Sequence, residues 1–493
     1  MAKLLGIDIG TSSVKALLVD AESRAVVAEG NSALELSTPV VGYAEQNPSD
    51  WWGAAVQAVR QITTSHENDV DAVSFSGQMH GLVLLDEHTE VIRPAILWCD
   101  TRCTEECRIL ERELGLSWIM EHLYNPPLEG FTLPKLTWVR RHEEDNYKRA
   151  RLLLLPKDYV RYRLTGEIYM EHSDGAGTLM QDIKNRNWSV KLLDRLEIDH
   201  SLLPPLIAST AGAGNVNGEA AELTGLKHGT PVFAGGADNT AAACGSGVIS
   251  EGVVSVSLGS SGVVFGSSKT LRCDPRGRIH TFNHSVPGLY YNMGVMQAAG
   301  LALRWFRDNF AKELAGKKDA YDQLCAEAAQ AGTGAGGVFF MPYLMGERTP
   351  HLDGTAKGGF LGISAAHNRG HLVRALLEGV AFGLRDCIEI FKTLGVPLHE
   401  IRLLGGGAGS ELWAQIIADT CNEPIHILNI AESPAYGAAL IAGVGCGIFT
   451  DFQQAAGNID IQKTYSPRRE DVEVYDSLYP KYQRIYQATL DYR

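Results

Sequence analysis

The strongest constraint on this chain is a pattern that occurs twice. Lys3 to Asp20 reads as two apolar strands around a polar turn, Gly10-Thr11-Ser12-Ser13. Glu251 to Phe265 has the same form, with Gly259-Ser260-Ser261-Gly262 at the turn. Each is strand, turn, strand, and not a strand feeding a helix. A hairpin of this kind near the start of each half points to an internal duplication. Turns this short and polar aim N–H groups and hydroxyls at one point, which suits a phosphate. The 493 residues exceed what one hydrophobic core serves, so two domains are expected, 1–246 and 247–493, with a nucleotide clamped between the halves.

Between the hairpins, Pro231 to Ala234 reads as a short buried strand, Gly235-Gly236 as a sharp turn, and Asp238-Asn239 as the start of a small-residue helix. A carboxylate at a strand end can take a proton from a substrate hydroxyl. Asp is also a preferred helix N-cap, worth roughly 1 kcal/mol, so position alone leaves both roles open for Asp238. In the first strand Asp8 lies between Ile7 and Ile9, where a carboxylate is costly without a task. A hydrated Mg²⁺ suits it, because that ion takes one carboxylate plus waters and phosphate oxygens. Lys15 can reach the same phosphates. The strand from Val70 to Phe75 ends in Ser76-Gly77-Gln78-Met79-His80-Gly81, and ligands of open α/β sheets sit at such strand ends. His80 and Gln78 can hydrogen-bond sugar hydroxyls, and Met79 can cover an apolar face. Asp100 and Arg102 end a neighbouring segment and can simply pair with each other.

Several classes are disfavoured. The net charge is −14 with no basic block, which argues against nucleic acid and anionic membrane. No 18-residue apolar run occurs. Asp8 interrupts the first apolar stretch, so no export signal is read there. The nine cysteines are then expected as reduced thiols in a cytoplasmic protein. Cys99, Cys103 and Cys107 lack a fourth ligand or a CxxC pair, and read as one half-buried helix face. Gly332 to Gly337 fits GxGxxG but precedes a strand, so it is not a dinucleotide site, and no P-loop pattern occurs.

Other elements follow from local signals. A helix opens at Pro48, capped by Ser49 or Asp50, and another near Gly130 is capped by Thr132. Leu82 to Leu85 and Ala95 to Trp98 are expected to extend the sheet. Ser173 to Thr178 and Ser209 to Gly218 read as loops, and Pro342 to Asp353 as a loop without an assigned role. Leu372, Leu376, Val380, Leu384 and Ile388 mark the core face of a long helix. Ile401 to Leu404 is a strand ending in Gly405-Gly406-Gly407-Ala408-Gly409, where the backbone can approach an anionic or flat group. Ser433 and Pro434 open a helix expected to pack closely on a sheet, and a peripheral helix follows residue 465.

Assembled, these pieces resemble the FGGY family of carbohydrate kinases over essentially the whole length. The resemblance rests on Asp8 to Ser13, Gly130 to Val139, Gly235 to Asn239, Leu258 to Gly262, Gly358-Gly-Phe-Leu-Gly-Ile363 with His371 to Glu378, and Leu404 to Ala408. It implies an α/β chain of two RNase H-like domains, as in actin and hexokinase, with an interdomain active-site cleft. It implies ATP and Mg²⁺, with Asp238 as general base, Met79, His80 and Asn239 near the sugar, and Asp8 near the metal. Thr11, Ser12, Ser13 and Lys15 would meet phosphates from one domain, and Ser260, Gly300, Gly407 and Ala408 the nucleotide from the other. Within the family, Gly77 to Gly81 and Ile96 to Arg102 are most similar to members acting on D-xylulose, phosphorylated on its 5-hydroxyl. Gluconate, ribulose and related pentuloses or polyols are alternatives. Glycerol is disfavoured, since glycerol kinases carry Arg-Glu where this chain has Met79 and His80. A non-catalytic actin- or Hsp70-like nucleotide switch shares the hairpins but would lack the sugar loop. The expected partners are a small sugar and ATP, with neither nucleic acid nor membrane, and a homodimer stays open.

Overall fold

A computed structural model describes residues 2–66, 69–429, 433–457 and 459–490. The chain forms two compact units, one of residues 1–249, 282–290 and 432–458, the other of 250–281, 291–431 and 459–493.

The first unit is built on a sheet ordered Gly212–Asn215, Pro231–Phe233, Ala72–Gly77, Lys3–Ile9, Ser13–Asp20, Val26–Ala33. Lys3–Ile9 pairs parallel with Ala72–Gly77 and antiparallel with Ser13–Asp20. Side chains of a strand alternate between faces. Leu5, Ile7 and Ile9 therefore pack with Trp51, Ala55 and Val59 of the helix Pro48–Thr63. On the other face Leu4, Leu17 and Val19 pack with Ala435 and Ala439 of the helix Pro434–Gly445. That helix touches its neighbours backbone to backbone. A Cβ on Gly6 would stand 1.8 Å from the Ala435 carbonyl oxygen, and one on Gly437 would stand 1.7 Å from that of Ala241. The small-residue composition of the segment is what permits this approach.

The second unit repeats the theme. Val253–Leu258 and Gly262–Ser268 form the antiparallel hairpin, and Val253–Leu258 pairs parallel with Glu400–Leu404. Ile425–Leu428 and Ile461–Tyr465 extend one side, and Tyr290–Met296 flanks the hairpin on the other. The helix Arg369–Thr393 buries Leu376, Val380, Leu384 and Ile388 as its four-residue repeat requires. Gly379 lets it lie on the Phe340 carbonyl, 2.1 Å from where a Cβ would be.

Some expectations are corrected. Val83–Leu85 and Ala95–Ile96 do not join the main sheet; they pair with Leu152–Leu154 and Glu45–Gln46 in two separate ribbons. The stretch from Ser209 to Gly218 holds the edge strand Gly212–Asn215, whose glycines hide any apolar alternation. Asn47, not Ser49 or Asp50, caps the second-layer helix by accepting from the Ser49 N–H, with Pro48 as its first residue. Thr132 is already inside its helix, and its hydroxyl donates to the His80 carbonyl at 3.1 Å. Ser173 to Thr178 is largely the short helix His172–Gly177. The last helix, Arg469–Ala488, is less peripheral than expected: Tyr475, Tyr479 and Tyr482 enter the core. The Tyr475 hydroxyl donates to Glu378 at 2.9 Å, beside the buried Arg374–Glu378 ion pair. No group of three or more His, Cys, Asp or Glu suited to a metal ion occurs among the described residues, and Cys103 and Cys107 are buried thiols.

The segment from Pro342 to Asp353 is strapped to Tyr290–Met296. The Thr349 N–H donates to the Val295 carbonyl at 2.9 Å, and the Glu347 carboxylate accepts from the N–H groups of Gln297 and Arg348. Burial pushes the Glu347 carboxyl up to about 8, although those two N–H groups pull the other way.

Two outcomes follow from this packing. Gly437→Ala should lower stability by about 1–3 kcal/mol through overpacking. Gly53→Ala, with open space around its Cβ inside a helix, should be neutral or stabilising by about 0.5–1 kcal/mol. Urea midpoints at constant slope read both. Glu347 ionises in the unfolded chain near pH 4.3 but only about 8 in the folded one. Its contribution to stability is therefore complete below about pH 4.3 and lost as pH rises through 8. Thermal melts of Glu347→Gln should gain on wild type steadily over that window, with the gap levelling off above it.

Candidate active site

Three strand ends of the first unit emerge in one row. Ile9 lies beside Gly77 in the parallel register, and Gly236 and Ala237 lie beside Ser76 and Gly77. The turn from Gly10 to Ser13, the loop from Gln78 to Gly81, and Asp238 with Asn239 consequently share one end of the sheet.

Asp238 is the first residue of the helix Asp238–Gly245, and Ala237 holds the cap position. Its carboxylate therefore starts one residue past the cap. Oδ1 accepts from the Asn239 N–H at 2.7 Å and from Asn239 Nδ2 at 2.9 Å. The same Asn239 amide reaches Met79 Sδ at 3.7 Å, which joins the carboxylate to the loop from Gln78 to Gly81. His80 sits in the left-handed region at φ +69°, a backbone state that costs about 1–3 kcal/mol and collects at functional sites. Its Nδ1 donates to the Gly177 carbonyl at 2.6 Å, and its ring packs edge-on to Phe131 at 5.0 Å.

The phosphate-type turn is braced from behind. The Thr11 hydroxyl donates to Gln78 Oε1 and accepts from Trp98 Nε1, both at 3.0 Å. Gln78 Nε2 donates to Gln46 Oε1 at 3.1 Å, and Gln46 Nε2 donates to the Thr11 carbonyl at 2.7 Å. Gln78 is buried, and its amide is spent on this brace rather than on a ligand. Ser12 is exposed at the tip. Lys15 is half-exposed, opposite Asp8 across the hairpin, and 4.0 Å from Glu29.

Asp8 Oδ1 is buried with no hydrogen-bond partner. Burial pushes its carboxyl up to about 6, against the pull of the neighbouring Ser76 hydroxyl and the Lys15 ammonium. An orphaned carboxylate oxygen is costly unless something positive completes it. One carboxylate near a phosphate-type turn fits a hydrated Mg²⁺, which borrows its remaining ligands from water and phosphate. Asp100 and Arg102 pair as a buried, two-pronged ion pair, with the guanidinium 3.7 Å over the Tyr43 ring.

In the second unit a cavity of about 460 Å³ opens beside the second hairpin tip, lined by Ser260, Gly300, Arg304, Tyr321, Gly407 and Trp413 among others. The Gly300 N–H donates to the Gly259 carbonyl at 2.9 Å, and a Cβ on Gly300 would stand 2.6 Å from that oxygen. Gly405, at φ +80°, turns the chain from strand Glu400–Leu404 into the short helical turn Gly406–Gly409. Ala408 lies in that turn, with its N–H donated to the Gly405 carbonyl at 3.1 Å. A Cβ on Gly407 would meet Leu258 at 2.7 Å, so only glycine lets the turn lie on the hairpin strand. The cavity wall thus includes the glycine backbone of Gly259, Gly300, Gly406, Gly407 and Gly409 together with the rings of Trp413 and Tyr321.

Thr11, Asp8, Met79, His80, Asp238 and Asn239 are gathered at one end of the first sheet, and Ser260, Gly300 and Gly407 around one cavity of the second unit. Trp98, Phe131, Gln46 and Arg304 were not singled out from the sequence. Arg304 donates to the Ser260 hydroxyl at 3.0 Å and lies one helical turn from Gly300, a spacing that marks it. Trp98 and Gln46, the latter in the strand Glu45–Gln46, come from parts of the chain distant from the turn and carry no such signal.

A strand–turn–strand hairpin on a mixed α/β sheet in each of the two units gives the ribonuclease H-like fold class of actin and hexokinase. Residues 3–245 match the model of the FGGY family of carbohydrate kinases, N-terminal domain, and residues 254–446 that of its C-terminal domain. The chain is 40% identical to the xylulose kinase of Bacillus subtilis (strain 168), over 100% of this chain and 98% of the relative. Its fold matches the "xyloylose kinase" of Brucella ovis with a TM-score of 0.92 at 35% identity, covering 100% of both chains. The xylulose kinase of Rhodospirillum rubrum matches with a TM-score of 0.93 at 32% identity, covering 99% of each. The chain belongs to the FGGY family of carbohydrate kinases and is an ATP-dependent sugar kinase. No helix among the described residues is long and apolar enough to cross a membrane.

Gln78→Ala should remove one hydrogen-bond partner each from half-buried Thr11 and buried Gln46 and lower stability by about 1–3 kcal/mol. The urea midpoint reads this loss. Ser12→Ala, at the exposed tip, should leave the midpoint unchanged.

Proposed function

We propose that this kinase transfers the γ-phosphoryl group of ATP to the 5-hydroxyl of D-xylulose. The observation that carries the reading is the junction of Asp238, Asn239 and Met79 at the strand end that also holds the Asp8 turn. The xylulose kinases among its relatives, matched along the whole chain, support the choice of sugar.

On this reading the unit that contains residues 1–246 binds the sugar and supplies the base. Asp238 orients the attacking hydroxyl and takes its proton as the bond to phosphorus forms. The two donations from Asn239 fix the carboxylate's plane. His80 hydrogen-bonds one sugar hydroxyl, and Met79 covers an apolar face. Thr11, Ser12, Ser13 and Lys15 hold phosphate oxygens, and Ser260, Gly300, Gly407 and Ala408 hold the nucleotide. Asp8 is the residue that would hold Mg²⁺ through its orphaned oxygen, and the ion would offset charge on the transferred group. The transition state is loose, so placement and charge compensation carry most of the rate.

A coupled ADP-release assay over D-xylulose, D-ribulose, gluconate and glycerol tests the reading. D-Xylulose should give the highest kcat/KM. Release that ignores every sugar would indicate a nucleotide switch instead. Asp238→Asn should lower kcat by ~10²–10⁴-fold with an unchanged melting temperature. Activity within a few-fold of wild type in a folded variant would remove Asp238 from the role of base.

A further inference from the structure

Beneath Asp238 lies a polar mount that none of the site residues above includes. Glu171 is fully buried and precedes the short helix His172–Gly177. Its Oε1 accepts from the Asp174 N–H at 2.8 Å and from the Ser173 hydroxyl at 2.7 Å. Its Oε2 accepts from the Ser173 N–H at 2.7 Å and from the Ser209 hydroxyl at 2.9 Å. Lys157 Nζ, also fully buried, lies 3.5 Å from Glu171 and 2.7 Å from Asp174. Burial raises the Glu171 carboxyl, but Lys157 and the donors from Ser173 and Asp174 outweigh it and hold the group below the ordinary range.

The Ser173 hydroxyl has a second set of contacts. With its proton given to Glu171, its oxygen accepts from the Ala237 N–H at 3.0 Å and from the Thr240 hydroxyl at 3.3 Å. Ala237 is the residue before Asp238, and Thr240 lies two after it. The far end of the same short helix is Gly177, whose carbonyl takes the His80 ring donor. A Cβ on Gly177 would stand 2.9 Å from Met79 and 3.0 Å from the His80 ring. One six-residue helix thus touches the backbone that aims Asp238 and the ring and thioether of the sugar loop.

We infer that Ser173 is a positioning residue for Asp238, transmitting the fixed location of buried Glu171 to the start of the helix that carries the carboxylate. The inference rests on the reading of Asp238 as the base. Its physical basis is the direction of the bonds. A hydroxyl that must donate to an ionised carboxylate has only acceptor capacity left, so the Ala237 N–H is held at one place. Loss of that bond frees the peptide immediately before the base, where a displacement of about 1 Å is enough to cost ~10²-fold in rate.

The experiment compares four variants in the D-xylulose assay, with melting temperatures alongside. Ser173→Ala should lower kcat by ~10- to 100-fold while KM for D-xylulose and for ATP stays within about twofold of wild type. Ser209→Ala removes an equally buried hydroxyl from the other oxygen of Glu171 and should lose comparable melting temperature but keep kcat within about twofold. If Ser173→Ala keeps wild-type kcat, or if both serine variants lose kcat in proportion to stability, the inference is overturned. Should Ser173→Ala not fold, Thr240→Ala, which removes the contact to Ser173 together with the Thr240 bonds to the Ala237 carbonyl and the Ser285 hydroxyl, must still lower kcat several-fold, and wild-type kcat there overturns it. Asp238→Asn separates the two levels: an active Asp238→Asn sinks the base itself, whereas an inactive one beside a fully active Ser173→Ala sinks only the positioning role.

Discussion

Parallel register in the first sheet is the constraint from which the rest of the structure follows. Gln78 donates its backbone N–H to the Ile9 carbonyl at 2.8 Å, one step past the last paired residues of the two strands. Gly236–Ala237 joins the other edge of Ala72–Gly77 in parallel. Three chain segments from distant parts of the sequence therefore stop at the same level. Whatever extends beyond them is brought together by the sheet, not by any affinity among the loops. Ligands gather at such carboxyl ends because the strands stop there and the backbone polar groups face outward.

Holding that register needs close packing behind it. The helix Pro434–Gly445 lies directly on the strand Lys3–Ile9 and on the helix Asp238–Gly245, with Gly6 and Gly437 at the crossings. Buried charge does a similar task nearer the chemistry. Lys157, Asp158, Arg161, Glu171 and Asp174 form an ion cluster with no exposed side chain. Such clusters are weak evidence of stability, because desolvation offsets much of the attraction. They do fix geometry, since moving one member leaves the others unpaired in a medium of low dielectric. The second unit has a counterpart in Arg374, Glu378 and Tyr475, which ties the long helix to the last one. Residues 371–378 therefore owe their pattern to packing, although they help to mark the family.

Both hairpins were legible because they are local: each is a short apolar run, a polar turn and a second run. The helix Arg369–Thr393 was legible from its four-residue period. The gathering of residues at one end of the first sheet was legible where a residue stands at a strand end, as Asp8, Met79, His80 and Asp238 do. Elements whose partners lie far away were not. Val83–Leu85 has the composition of a core strand but pairs with Leu152–Leu154 in a separate ribbon. Gly212–Asn215 has no apolar alternation, and only its place beside Pro231–Phe233 makes it a strand. Gln78 looked like a ligand contact, and only the positions of Gln46 and Thr11 show its amide directed inward.

The order of residues alone therefore determined the two strand–turn–strand units, the long amphipathic helix, the carboxylates at strand ends and the family to which the chain is similar. Those features depend on neighbours within a few positions, where backbone geometry leaves few choices. The tertiary structure alone decided that residues 434–445 pack on the first sheet, that Asn239 connects Asp238 to Met79, and that Ser173 meets the backbone just before Asp238. Such contacts join residues more than sixty positions apart, and no local period or composition records which distant surface a side chain will meet.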